Sequence, residues 1–225
     1  MRSIPATRRA PYSWLMTVRT FMVVGLVFAG AVSGFAQDEI HHSNISVGLG
    51  PAIPVGNTTN YLSAAPLFRA AYGYRFNKWF QADAGLQIAF GAANNQNAEV
   101  SDIGALQGGD HEFMIPLGGR IYIPTRFSRV DLSAGGGAAY LHYSETIPGA
   151  GQIGVYCYSC TSRAGWGGYG LASARYFLDD NHIFSLGTTF QYIAASTNGQ
   201  AVGNIPPVRT TDHWTNVIFE FGLSF

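Results

Sequence analysis

Apolar and polar residues alternate along most of this chain. ISVGLG (45–50) puts Ile45, Val47 and Leu49 on one side. A period of two is the β-strand period, because successive strand side chains point to opposite faces. The rhythm recurs in APLFRAAYGYRF (65–76), where Phe68, Ala70, Tyr72, Tyr74 and Phe76 oppose Arg69, Ala71, Gly73 and Arg75. WFQADAGLQIAF (79–90) sets Phe80, Ala82, Ala84, Leu86, Ile88 and Phe90 against Gln81, Asp83, Gly85 and Gln87. FMIPLGGRIYI (113–123) sets Phe113, Ile115, Leu117, Ile121 and Ile123 against Pro116, Gly118 and Arg120. VDLSAGGGAAYLHY (130–143) sets Val130, Leu132, Ala134, Ala138 and Tyr140 against Asp131, Ser133, Gly135 and Gly137. In WGGYGLASARYFL (166–178), Trp166, Ala172, Ala174 and Tyr176 oppose Ser173 and Arg175. IFSLGTTFQY (183–192) sets Phe184, Leu186, Phe190 and Tyr192 against Ser185, Gly187 and Gln191. NVIFEFGLSF (216–225) closes the series with Val217, Phe219, Phe221, Leu223 and Phe225 against Asn216, Ile218, Glu220, Gly222 and Ser224.

These are eight predicted strands, near the length of about ten residues that a tilted membrane strand needs. Their connections alternate in length. Short turns fall at Asn77-Lys78, Thr125–Ser128 and Asp179–Asn181, and longer loops at 54–63, 91–112, 145–163 and 194–212. An up-and-down antiparallel barrel follows, with its short turns at one end. Alternation alone does not say which face is outside. A soluble barrel is apolar within, whereas a membrane barrel reverses this.

Three features select the reversed case. Aromatics mark both ends of the apolar face: Tyr74, Phe76, Phe80, Tyr176, Phe184 and Phe225 near the short turns, and Phe90, Phe113, Tyr140, Trp166 and Tyr192 near the long loops, with Trp214 a further candidate. Such rings suit the two headgroup regions of a bilayer. The polar face carries Arg69, Arg75, Asp83, Arg120, Asp131, Arg175 and Glu220, a mixed set that can pair inside a barrel, while the only lysine is Lys78 in a turn. Closure would also remove the sheet edges, whose bare N–H and C=O groups are costly in lipid.

Composition agrees. Charged residues make up 12% and hydrophobic residues 47% of 225, with 28 glycines, which excludes a disordered chain. The N-terminus reads differently. Arg2, Arg8, Arg9 and Arg19 precede the apolar run FMVVGLVFAGAV (21–32), and Gly34-Phe35-Ala36 has small residues at its first and third places. That layout predicts a cleavable signal peptide over 1–36, with Met16 as a candidate start, and a barrel domain over 37–225. Removing 1–36 removes four of the 13 basic residues and none of the 13 acidic ones, leaving a net charge of −4 with His neutral. No basic patch for nucleic acid remains.

The stretches ASARYFLDDNHIFSLGTTFQY (172–192) and EFGLSF (220–225) resemble those of the small eight-stranded outer-membrane barrels of Gram-negative bacteria. That group includes the membrane domain of outer-membrane protein A and outer-membrane proteins X and W. The resemblance implies an all-β, eight-stranded antiparallel transmembrane barrel behind a cleaved signal peptide, located in the cell outer membrane. It implies lipid and lipopolysaccharide as surroundings. It also implies that Phe221, Leu223 and Phe225 form an assembly signal read by the barrel-assembly machinery.

Candidate chemistry is sparse. Cys157 and Cys160 form CYSC in the third long loop. In an exported protein a disulfide is the first reading, with free thiols, metal binding and redox function as alternatives. His142 and Ser144 share one strand face, so a base could approach a nucleophile. The pair resembles, faintly, the His-x-Ser of lipid A deacylase barrels, without that motif's surroundings. His41-His42 reads as a solvated linker. No cofactor or metal site is expected. The interior charges read as a plug, against the alternative of a narrow path. The expected role is structural, envelope-maintaining or surface-interacting and not enzymatic, with an extracellular ligand the loops do not spell out. The alternatives are a narrow channel for small hydrophobic solutes, as outer-membrane protein W suggests, and lipid A modification.

Overall fold

The computed structural model describes residues 41–93, 99–101, 104–106, 109–151, 154–199 and 209–225, with the backbone alone at 99–101, 104–106, 146–151 and 154–161. The expected signal segment and the side chains of Cys157 and Cys160 lie outside the described residues. The elements are β1 (Ser43–Pro54), a 3-10 turn (Gly56–Asn60), β2 (Ala65–Arg75), β3 (Phe80–Phe90), β4 (Glu99–Ser101), β5 (Gly104–Leu106), β6 (Gly109–Ile123), β7 (Val130–Gly151), β8 (Gly154–Phe177), β9 (Phe184–Gly199) and β10 (Arg209–Ser224). Eight of the strands close into a barrel in the order β1-β10-β9-β8-β7-β6-β3-β2. Every neighbouring pair is antiparallel. β4 and β5 form a separate short hairpin inside the β3–β6 connection.

The seam joins the two ends of the barrel. Val47 faces Phe221 and Ile45 faces Leu223 in register. At the short-turn end the Ser43 N–H donates to the Phe225 carbonyl at 2.9 Å and the Phe225 N–H donates back at 2.8 Å. Pairing runs without a break from Asn44↔Ser224 to Leu49↔Phe219 and resumes at Ala52↔Asn216. Pro51 explains the gap, since it has no N–H to give to the ladder. Gly50 beside it lies so close to β10 that a Cβ there would fall 1.8 Å from the Val217 carbonyl oxygen.

The apolar face is outside. Ile45, Leu49, Phe68, Tyr72, Leu86, Ile121, Leu186, Phe190, Phe219 and Phe221 are all exposed. Their alternate neighbours are buried in the lumen. A band of exposed apolar side chains on a closed sheet is what a bilayer requires and water penalises. Rings pack laterally within the two girdles: Tyr74 meets Phe76 edge-on at 5.2 Å, and Tyr140 meets Trp166 at the same distance near the other rim. Trp214 departs from the expectation of an outer-girdle residue. It is fully buried in the lumen, because even-numbered positions of β10, including Asn216 and Ile218, face inward. The small residues Ala134, Gly136 and Ala138 of β7 lie opposite Ala172, Gly170 and Gly168 of β8, row for row, on the outward face.

The strands extend beyond the stretches in which alternation is visible. The loop expected over 145–163 is largely a continuation of the β7–β8 hairpin, with a bulge between Ile147 and Pro148. β6 and β10 begin at Gly109 and Arg209 rather than 113 and 216. Where a strand rises above the lipid, neither face needs apolar side chains, so the period-two signal fades although the ladder continues.

The short turns are held by side chains. Asn77 Oδ1 accepts from the backbone N–H of Trp79 at 2.8 Å and of Phe80 at 3.0 Å, an Asx turn. His41 and His42 are tied to the turns beside them, with His42 exposed: His41 Nε2 donates to the Asn181 carbonyl at 2.7 Å and His42 Nδ1 to the Arg75 carbonyl at 2.8 Å. In the β8–β9 turn the Asp179 carboxylate accepts from the N–H of Ile183 at 3.1 Å and of Phe184 at 2.8 Å. Desolvation pushes this carboxyl up, but the bonds from Phe184 and Ile183 outweigh it and hold it below its ordinary value. A depressed folded pKa gives stability that is present above the unfolded value, near 4, and lost as pH falls through the folded one. Asp179→Asn is therefore expected to flatten the decline of stability below about pH 4. Urea unfolding of the lipid-refolded protein across that range measures it.

Candidate functional site in the barrel lumen

The inward residues stack in layers along the barrel. Nearest the short turns is a charged layer. Arg69 pairs with Glu220. Arg120 Nε donates to Asp83 Oδ2 at 2.6 Å. Gln81 Nε2 donates to Asp83 Oδ1 at 2.5 Å, and Gln81 Oε1 accepts from Asn44 and from the Tyr122 hydroxyl, each at 2.7 Å. Arg75 stacks on the Tyr122 ring at 3.8 Å and reaches Asp131 at 3.4 Å. Arg175 is buried in the same layer, opposite Asp131 in register. The charges read from the polar strand faces thus occupy one layer, and Arg69, Arg75 and Arg120 form ion pairs with Glu220, Asp131 and Asp83 across strands distant in sequence.

Above it lies an amide layer. Gln87 Nε2 donates to Gln191 Oε1 at 2.6 Å, and Asn216 Nδ2 to Gln87 Oε1 at 3.0 Å. An apolar layer follows, in which Leu67, Met114, Leu141, Ile193 and Trp214 are all buried, with Ile218 just beneath. These side chains fill the width that eight strands leave.

The second charged group, at the long-loop end, belongs to strand ends that alternation does not reveal. Asp212 of β10 accepts from the Tyr61 hydroxyl at 2.5 Å and the Thr197 hydroxyl at 2.8 Å, and lies 3.3 Å from Arg163 Nε. The Arg163 guanidinium sits over the rings of Tyr143 at 4.4 Å and Tyr61 at 4.9 Å. Asp110 accepts from the backbone N–H of Ala92 and Ala93 at 2.8 and 3.0 Å. Tyr143 donates to Glu145 at 3.2 Å. Glu112, two residues along the same face of β6 from Asp110, is fully buried, and neither carboxylate oxygen has a hydrogen-bond partner. None of these residues stands out from composition. The signal that could have found them is phase: Asp110 and Glu112 keep step with Met114, and Asp212 with Trp214 and Asn216.

The other candidates are not gathered into a site. His142 and Ser144 lie on the outward face of β7, in phase with Tyr140, while Glu145 and Tyr143 turn inward. Asp212 and His213 are split between faces: the His213 ring shares a hydrogen bond with the Tyr192 hydroxyl at 2.8 Å on the outside. Among the described residues no cluster of three or more His, Cys, Asp or Glu could hold a metal ion. Phe221, Leu223 and Phe225 line the outward face of the closing strand.

A closed eight-stranded antiparallel barrel with an apolar outer belt and a packed polar lumen is the fold of the small outer-membrane β-barrels. Solved structures with that fold include Neisserial surface protein A, at 12% identity and a TM-score of 0.52 over 81% of this chain and 97% of that one. Outer membrane protein OprG from Pseudomonas aeruginosa is similar at 12% identity and a TM-score of 0.51, over 82% and 97%. Ail, the attachment invasion locus protein of Yersinia pestis, has 14% identity and a TM-score of 0.48, over 83% and 100%. No family model matches the sequence, and no curated protein does.

Proposed function

We propose that this chain is a structural or surface-interaction barrel of the outer membrane whose business is done at its loops and rim rather than in a pore or a catalytic centre. The observation that carries the reading is the filled lumen. Two charged layers, an amide layer and the buried apolar set Leu67, Met114, Leu141, Ile193 and Trp214 succeed one another between the two ends. Continuous water, which an ion needs to cross, has no room beside side chains packed to this degree. Catalysis finds no support in the separation of His142 from the inward carboxylates or of His213 from Asp212. On this reading the rim meets lipopolysaccharide and an extracellular partner, and Phe221, Leu223 and Phe225 address the chain to the assembly machinery.

Planar-bilayer recording of the purified, folded protein tests the reading. The expected trace stays at the conductance of the bare membrane. Reproducible single-channel steps that vanish on heat unfolding would overturn it in favour of a narrow channel.

A further inference from the structure

We propose that the charged group at the long-loop end of the lumen binds the ammonium or guanidinium group of a small external cation, held between Glu112 and the aromatic rings that carry Arg163. Three observations meet here. The first is an unmet demand for positive charge. Among the described residues, Asp110, Glu112, Glu145 and Asp212 gather around one base, Arg163. The layer at the opposite end holds four arginines to three acids.

The second is Glu112 itself. It is fully buried with both oxygens unpartnered. Register puts it opposite Tyr143, which is in turn opposite Arg163, so the carboxylate, the ring and the guanidinium share one row of the barrel wall. Asp212 and Arg163 lie within its electrostatic reach, and the Trp214 indole N–H approaches it outside hydrogen-bonding geometry. Burial without donors pushes this carboxyl up to about 8, and a charged N–H donor is the group that would hold it ionised.

The third is that this group already holds a cation of this kind. Tyr61 and Tyr143 present ring faces to the Arg163 guanidinium at 4.9 and 4.4 Å, with Asp212 beside it. Ring quadrupoles attract ammonium and guanidinium groups in the same way.

The test uses the full protein in nanodiscs of zwitterionic lipid, with the Trp214 indole N–H resonance assigned through Trp214→Phe. Butylammonium and butylguanidinium are titrated, with butanol as the neutral control. The expected result is a saturable shift with the two cations and none with butanol. Affinity should fall about tenfold or more in Glu112→Gln and in Tyr143→Leu. Heat-modifiable gel mobility certifies that each variant is folded, and two variants guard against one that is not. The proposal is overturned if folded wild-type protein gives no saturable shift, if butanol shifts the resonance equally, or if the folded variants bind as well as the wild type.

Discussion

Glu220→Ala is expected to destabilise the folded barrel by about 3–5 kcal/mol, the usual effect of removing one partner of a buried ion pair. Arg69 and Glu220 pair deep in the lumen, both with little access to solvent. Without Glu220 the guanidinium keeps its desolvation cost. It also stays within electrostatic reach of Arg120, a like charge. The remaining acid nearby, Asp83, is already engaged by Arg120 and Gln81. The companion double variant Arg69→Met with Glu220→Leu should recover most of the loss, because an apolar pair of similar volume pays no desolvation. Urea unfolding of the refolded protein in lipid vesicles measures both. A loss under about 1 kcal/mol for Glu220→Ala would mean that water screens the pair as it does on a surface.

Gly50→Val is expected to prevent the barrel from closing. The β1–β10 seam is interrupted at Pro51, and Gly50 fits there only because it has no side chain: a Cβ would fall 1.8 Å from the Val217 carbonyl oxygen. That contact is with backbone of the partner strand, so it can be relieved only by parting the seam. An open seam leaves unpaired N–H and C=O groups in lipid, each costing several kcal/mol. Unboiled gels of membrane fractions should then show the variant only at its unfolded mobility. Gly168→Ala is the matched control, since a Cβ there meets only an ordinary van der Waals contact, the Gly137 carbonyl oxygen at 3.7 Å. Normal folding of Gly50→Val would show that the seam can separate locally at no great cost.

The sequence made the barrel legible where lipid acts on it. Phe68, Tyr72, Leu186 and Phe219 are apolar because they touch the bilayer, and their inward neighbours are polar because they do not. That contrast carries strand number, direction and the inside-out arrangement. It also carries the inward charges Arg69, Asp83, Arg120 and Glu220 as a group. Which arginine takes which acid depends on strand tilt and register, and register is not written in alternation. Arg69 reaches across the seam to Glu220 from the far end of the sequence. Above the lipid the contrast vanishes, so Asp110, Glu112, Arg163 and Asp212 read as loop residues although the ladder continues through them. Trp214 departs from expectation for a related reason: an aromatic near a rim suggests a girdle, and only phase along β10 turns it inward.

The two charged layers differ in sign of excess, and the apolar layer between them keeps them apart. The lumen therefore carries a fixed electric dipole along the membrane normal, with its formal positive end toward the short turns and its negative end toward the long loops. Low-dielectric packing between the poles lets that field persist instead of being screened. A cation entering from the long-loop side, or an anion from the short-turn side, would be drawn into the first pole and repelled by the second. Any leak opened by loosening Leu141 or Trp214 would for that reason be unequal in its two directions, and current–voltage curves of such variants would bend rather than run straight.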